Sequence, residues 1–323
     1  MDAPITARAP ADGAQKSLVP AISLPKGGGP LRGMGEKFAA NPVTGTGSMS
    51  VPIACSPGRA GFGPQLALGY DSGAGNGPFG FGWSLGLPQI TRKTDKGLPQ
   101  YHDAEESDVF IISGAEDLVP VAVEQGGTWV RETLPDRTLG VDTYTVQRYR
   151  PRIEALFARI ERWTRRSDGD VHWRSLSRDN VLTLYGKDAN SRIADPANRL
   201  RIFSWLICET RDDKGNAVVY EYKAEDGAGV DPRRAHERNR GDSDDARRAA
   251  NRYPKRIRYG NRLTLLDAAG QRPPMLSVTQ RQGVEWSINV LSSCSTCAGN
   301  TTRFGVRTGS RRWCGLTCWR AAR

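Results

Sequence analysis

Ser84 is the first residue in the chain whose neighbours could do chemistry. Gly82-Trp83-Ser84-Leu85-Gly86 has the G-x-S-x-G spacing of a nucleophile elbow. Such an elbow needs its serine on a sharp strand-to-helix turn, with a base and an acid brought up by the fold. A helix starting at Leu85 would carry Gly86 and Pro88 in its first turn, so a glycine-dense strand pair is expected instead. Gly75-Asn76-Gly77-Pro78-Phe79-Gly80 has G-x-G-x-x-G spacing. A dinucleotide site needs a hydrophobic strand before that run and a helix after it, so that phosphate meets the helix N-terminus. Neither flank fits, and no cofactor is expected.

Thiolates are the next candidates. Cys294-x-x-Cys297 and Cys314-x-x-x-Cys318 approximate a four-cysteine zinc spacing. The second pair is one residue too wide and turn chemistry is missing around both, so metal binding by these residues is kept only as an alternative. His102, His172 and His236 have no ligand partner at short spacing. They are expected to be exposed or internally satisfied. Asp103, Glu105, Glu106 and Asp108 form an acidic cluster without the glycine and spacing of a calcium loop. A solvated turn is expected there. Arginines 148, 150, 152, 159, 162, 165, 166 and 174 interleave with Tyr149, Trp163 and Trp173. That mixture could stack and neutralise nucleic acid. In strands, arginine stems instead cover apolar surface while the charge stays in water. No catalytic, cofactor-binding or metal residue is therefore assigned, and no nucleic-acid partner is expected.

The elements that would position these residues read as β. The 323 residues include 36 glycines and 20 prolines, together about 17% against the roughly 12% of average usage. Seventeen of the glycines fall between Gly27 and Gly86, which suits turn-dense strands rather than a helix bundle. Strands are expected at Ser48–Ile53, Gln65–Tyr70, Val109–Ser113, Leu118–Val123, Thr128–Glu132, Tyr144–Tyr149, Val171–Ser175, Val181–Tyr185, Arg201–Thr210, Ala217–Tyr222 and Lys255–Tyr259. Asp212-Asp213-Lys214-Gly215-Asn216 separates two of them as a hairpin turn. Residues 152–163 place apolar side chains at helical spacing, but their β neighbours favour a strand over 156–163. Residues 224–252 are charged and read as a long solvated insertion, with a helical turn within 243–251.

The net charge is +11. Residues 277–323 carry seven arginines and one glutamate, +6, which leaves 11 − 6 = +5 for the first 276 residues. The body is thus an ordinary surface rather than a nucleic-acid footprint. Cys55 and Cys208 stand alone, so no disulfide framework is expected. No run of roughly 18 apolar residues occurs, which excludes a helical membrane span. Residues 1–19 read as disordered, and the N-terminus lacks the pattern of a cleaved secretory signal.

Several runs together carry a resemblance. They are Ser23-Leu24-Pro25-Lys26-Gly27-Gly28-Gly29, Gly33-Met34-Gly35-Glu36-Lys37-Phe38, Asn41-Pro42-Val43-Thr44-Gly45-Thr46-Gly47 and Gly77-Pro78-Phe79-Gly80-Phe81-Gly82-Trp83. Asp103-Ala104-Glu105-Glu106-Ser107-Asp108, His172-Trp173-Arg174, Phe203-Ser204-Trp205, Asp212 to Asn216 and Arg256-Ile257-Arg258-Tyr259-Gly260-Asn261 belong with them. The set resembles the N-terminal region of SpvB-type virulence proteins, shared by the TcaC/TcdB-like B component of insecticidal toxin complexes. It spans residues 20–276.

That resemblance implies an all-β fold of Gly-rich antiparallel sheets that begins a toxin-complex β shell. It implies a non-enzymatic scaffold that ends before the propeller, the Rhs shell and any toxic domain. In SpvB a separate C-terminal domain ADP-ribosylates actin, and transferases of that kind use a Glu-x-Glu pair that this chain lacks. The implied partners are the pore-forming A and the C/Rhs components and, indirectly, a host cell. The implied location is extracellular, reached without a recognisable signal, as well as the bacterial cytoplasm. From Ser277 to Arg323 the composition turns to Ser, Thr, Cys, Trp and Arg without strand alternation, as a change of reading frame near codon 276 would produce. Two alternatives stay open: a fragment of an ADP-ribosylating or hydrolytic toxin enzyme, and a zinc or nucleic-acid module in the 277–323 tail.

Overall fold

Short apolar stretches cut by glycine, proline and aspartate become strands because each can bury one face only in a sheet. The computed structural model describes residues 37–41, 45–113, 116–154, 157–226, 231, 233–235, 237, 246–293, 303–308 and 312–317. All of them lie in one compact unit, Gly35–Arg323; the other unit, Met1–Met34, falls outside the described residues.

The first strands are β1 (Lys37–Asn41), β2 (Thr46–Ile53), β3 (Leu66–Asp71), the short ribbon β4 (Asn76–Gly77) and β5 (Gly80–Phe81), and β6 (Trp83–Leu85). They form an antiparallel sheet in the order β1-β2-β3-β6, with β4 and β5 paired to each other. Next come β7 (Gln89–Arg92), β8 (Phe110–Ile112), β9 (Glu116–Pro120), β10 (Ala122–Gln125), β11 (Thr128–Arg131), β12 (Arg137–Leu139) and β13 (Asp142–Pro151). They are followed by β14 (Arg159–Arg165), β15 (Val171–Leu176), β16 (Leu182–Tyr185), β17 (Arg192–Asp195) and β18 (Asn198–Arg211). The last elements are β19 (Ala217–Ala224), β20 (Arg252–Asn261), α1 (Val278–Gly283), β21 (Trp286–Ser293), β22 (Arg303–Thr308) and β23 (Arg312–Thr317).

Strand β18 organises the molecule. On one edge its last residues pair with β16 and its middle with β17; on the other, Ser204–Leu206 pair with β7 and Glu209–Arg211 with β19. The path β16-β15-β14-β13-β9-β8-β7-β18 therefore closes on itself as an eight-stranded antiparallel barrel. Eight strands enclose a space that side chains just fill. Ile90, Phe110, Ile112, Leu118, Tyr149, Ile160, Trp173, Tyr185, Ile202, Trp205 and Ile207 fill it here. Beyond β18 the sheet continues through β19-β20-β21-β22-β23. Val218, Ile257, Tyr259 and Val290 of that wing pack against Ile53 and Leu66 of the N-terminal sheet. The Tyr259 hydroxyl donates to the Ser56 carbonyl at 2.9 Å and ties the two sheets together.

The expected all-β class, with sheets paired antiparallel throughout, is what the chain adopts. Particular segments differ from expectation. Leu118–Val123 is not one strand: β9 stays in the barrel while β10 leaves to pair with β11, the split falling at Val121, whose N–H still donates to the Arg148 carbonyl of β13 while its carbonyl accepts from Glu132 N–H. In residues 152–163 the strand starts at Arg159, and Ile153 and Phe157 are 68% and 67% exposed. Their helical spacing marks no core stripe. In the charged insertion the expected helical turn is present as the 3-10 turn Ala246–Ala249, but Arg248 reaches Glu237 at 2.9 Å, a buried rather than solvated carboxylate. Residues 277–293, expected to lack order of this kind, form α1 and β21. Ser277 caps α1 by accepting from Gln280 N–H, and β21 pairs with β20. β21, β22 and β23 also pair in sequence. Strand pairing is made by backbone groups that every sequence carries, so composition alone did not reveal it.

Two glycines show why this chain is glycine-dense. Gly82 adopts φ +77°, and a Cβ there would sit 2.6 Å from the Tyr70 ring and 2.8 Å from the Asp71 carbonyl. Gly215 occupies the Asp212–Asn216 turn at φ +75°, where a Cβ would lie 2.9 Å from Leu265 N and collide with Thr264 Cγ2. Gly215→Ala is expected to destabilise the chain by about 1–3 kcal/mol, from left-handed strain plus collision with the 262–266 segment. Thermal melting of the variant checks this; an unchanged melting temperature contradicts it.

Candidate functional site

Alternation places Glu161, Trp163, His172 and Arg174 on the outer surface of β14 and β15, opposite Ile160, Arg162, Val171 and Trp173. The bulge between Leu184 and Tyr185 lets Glu209 and Arg211 share that outer surface, while Ile207 stays inside. The segment after β20 covers this face. It is fastened by Arg211, which donates to the Pro273 carbonyl at 2.6 Å and to Pro274 at 3.2 Å, and by Lys187, which donates to the Leu276 carbonyl at 2.6 Å.

Beneath that segment lies a cavity of about 440 Å³. Trp163 forms part of its wall, with Arg137, Arg159, Arg174 and Arg272 around a single carboxylate, Glu161. Glu161 accepts from Trp163 Nε1 at 2.9 Å and pairs with Arg159 at 3.1 Å and Arg137 at 3.6 Å. The Arg174 guanidinium stacks 3.7 Å from the Trp163 ring centroid, and its Nε donates to His172 Nε2 at 3.1 Å. Burial lowers the Arg174 pKa to about 10, with Glu161 pulling the other way. His172 is fully enclosed, and burial, reinforced by Arg174, holds its pKa well below the usual histidine range. It is a neutral acceptor, not a base. Arg211 and Glu209 form a separate buried pair at 2.6 Å.

A second polar centre lies at the other face of the wall. Inward-facing Arg92 and Arg162 meet Asp103 and Asp108 from the 94–109 loop. Asp108 also accepts from the N–H groups of Gln100 and Tyr101, at 2.8 and 2.9 Å. Arg92 lies over Tyr101, Phe110 and Trp205, 4.7–5.4 Å from the ring centroids. The acidic cluster is therefore not a solvated turn: two of its carboxylates are counter-ions of buried arginines, because the barrel interior supplies charges that must be paired.

The remaining candidates are placed differently. Ser84 lies within β6 opposite Gly69, whose carbonyl its hydroxyl meets at 3.5 Å, and not on a strand-to-helix turn. Gly75–Gly80 forms the β4–β5 ribbon with no helix after it. His102 is exposed, and His236 lies outside the described residues. So do Cys294, Cys297 and Cys318; Cys314 is placed by its backbone in β23. Among the described residues, no group of His, Cys, Asp and Glu could hold a metal ion. No helix among them is long and apolar enough to cross a membrane.

Most of the arginine stripe is matched by acids. Arg148 pairs with Glu132, Arg166 with Asp136 and Arg152 with Asp117. Arg162 and Arg174 are buried rather than solvated at the tip, because each finds a partner inside the protein. Arg165 grips Asp168 with two bonds of 2.8 Å. That grip lowers the Asp168 pKa from 3.8 to about 2. A carboxylate with a depressed folded pKa stabilises above its unfolded value and loses that contribution as pH falls through the folded one. Asp168→Asn is thus expected to melt below the parent at neutral pH, with the gap closing between about 3.8 and 2. A gap independent of pH over that window contradicts this.

Comparison with known proteins brings three findings. The family model described as SpvB, Salmonella virulence plasmid 65kDa B protein, matches residues 41–292, past the boundary expected at 276. The mono(ADP-ribosyl)transferases SpvB of Salmonella choleraesuis (strain SC-B67) and Salmonella typhimurium (strain 14028s) are 36% and 35% identical over 252 residues, 78% of this chain. The chain spans about 40% of the length of these curated relatives. Among solved structures, the N-terminal domain of effector protein SpvB from Salmonella typhimurium strain LT2 is 33% identical at a TM-score of 0.60, covering 75% of this chain and 72% of that one. The TcdB2-TccC3 crystal structure is 32% identical at a TM-score of 0.62, covering 85% of this chain and 12% of that one. These names correct one expectation: the relatives are named as enzymes, so a plain assignment of the protein as no enzyme does not stand.

Proposed function

The chain belongs to the SpvB family, and from that premise we propose that its barrel and its two-sheet wing are the architectural region of a bacterial virulence protein. In this reading the region starts the β shell of a toxin-complex B-type subunit and works with a pore-forming A component and a C/Rhs component, ultimately against a host cell. The protein acts outside the bacterium after synthesis in its cytoplasm. The observation that carries the reading is the likeness to both the effector SpvB N-terminal domain and TcdB2-TccC3 at more than 30% identity. Among the described residues β23 pairs only with β22, which suits the reading, because unpaired strand groups seek a further strand. The test is size-exclusion chromatography of the full chain with the A and C components of the same bacterium. Co-elution with either supports the reading, and separate elution from both overturns it.

A second reading follows from the relatives' names: the chain is part of a mono(ADP-ribosyl)transferase. Labelled NAD incubated with the chain and a host-cell extract tests it. Chain-dependent labelling of a host protein supports transfer, and no labelling removes this reading. We place the proposed change of reading frame after residue 292, where the family match ends. Family-like, strand-patterned sequence in another frame downstream would support that placement.

A further inference from the structure

We propose that the cavity on the outer face of the barrel binds the oxyanion of a small molecule, a phosphate or carboxylate group. The argument begins with charge. Four arginines line the cavity against one carboxylate, Glu161. Even when Arg272 is assigned to nearby Asp212 and Asp213, three arginines face Glu161, a surplus of 3 − 1 = +2. Arg174 is the buried member of this set, where a charge short of a partner is costly, and the part-exposed Arg137 and Arg159 add positive field at the mouth, so the site gains from an anion.

Geometry points the same way. Arg174 is buried, its Nε is spent on His172, and its Nη2 finds no hydrogen-bond acceptor among the described residues. Arg137 and Arg159 stand at the rim, 40% and 48% exposed, so a ligand from solvent can reach them. Guanidinium forks fit carboxylate and phosphate oxygens in pairs. A volume of about 440 Å³ suits a small molecule. The apolar part of the wall, from Trp163, Leu139, Leu176, Leu182, Pro273 and Pro274, would hold its uncharged portion.

Titration calorimetry of the full chain tests the proposal with two probes, inorganic phosphate and citrate, each matched in ionic strength by sodium chloride. Saturable binding of at least one probe is expected, and the probe that binds more tightly identifies the preferred oxyanion. Arg137→Gln and Arg159→Gln should each weaken it by about tenfold, the scale of one charge-assisted pair. Arg199→Gln, on an exposed arginine that pairs with Asp168, should leave it unchanged. Arg174→Gln should abolish binding where circular dichroism shows it folded; the rim variants decide the matter if it does not fold. Absence of saturable heat with both probes, or parental affinity in both rim variants, overturns the site.

Discussion

Trp173→Ala is expected to unfold the barrel under conditions in which the parent is folded. Trp173 is fully buried on β15 and touches rings from three other strands. Its ring centroid lies 4.9 Å from Tyr149, 5.0 Å from Phe110 and 6.0 Å from Trp205. Truncating a buried tryptophan costs about 3–5 kcal/mol through lost burial and the cavity left behind. The three lost aromatic contacts, at about 0.5–1.5 kcal/mol each, are part of that loss and push it toward the upper end. Whole domains are stable by only about 5–15 kcal/mol. The indole N–H has no acceptor among the described residues, so the loss is one of packing alone. Trp173→Phe keeps an aromatic ring in place and is expected to fall between the two. Urea denaturation reads this directly; an alanine variant with the parent's midpoint would refute the account of the core.

Arg92→Met is expected to be nearly as damaging, for an electrostatic reason. The Arg92 side chain is wholly buried, and its Nε donates to the Ile202 carbonyl at 2.7 Å. Its Nη1 contacts Asp103 at 2.6 Å and Asp108 at 2.7 Å. Removing one partner of a buried ion pair costs about 3–5 kcal/mol, because the other charge is left unpaired. Asp108→Asn combined with Arg92→Met should restore part of the loss, because Asp103 keeps Arg162 as its partner; a double-mutant comparison measures this coupling. The parent should also lose stability in acid. Burial alone would raise the Asp108 pKa, but the N–H groups of Gln100 and Tyr101, with Arg92, outweigh it, and the pKa lies below the ordinary value. The stabilisation is therefore present above the ordinary carboxylate range and lost as pH falls through the lowered pKa. Full stability of Arg92→Met, or no rescue by the combined variant, would count against this network.

Much of the local architecture was legible from residue order. Alternation located the strands around Tyr144–Tyr149, Val171–Ser175 and Ala217–Tyr222, and Asp212 to Asn216 marked its hairpin. These signals are local, since side-chain period and turn chemistry are properties of a few adjacent residues. The polar centres were not legible. Arg159-Ile160-Glu161-Arg162-Trp163 puts charged and apolar residues on both faces of one strand, so alternation could not say which face was buried. The one available signal was that mixture itself: a strand carrying charge on both faces can be enclosed only where counter-charges await it.

What the sequence determined alone was the class of structure: short, glycine-punctuated antiparallel strands, and the family runs that mark them. Only the tertiary structure decided that β18 joins β16 to β7 and closes a barrel. It also decided that Asp103 neutralises Arg162 across 59 positions and that Glu161, Trp163 and Arg174 line a common cavity. The physical reason is one of range. Strand propensity acts between neighbours, whereas the cost of burying a charge depends on partners that only the closed fold brings within hydrogen-bonding distance.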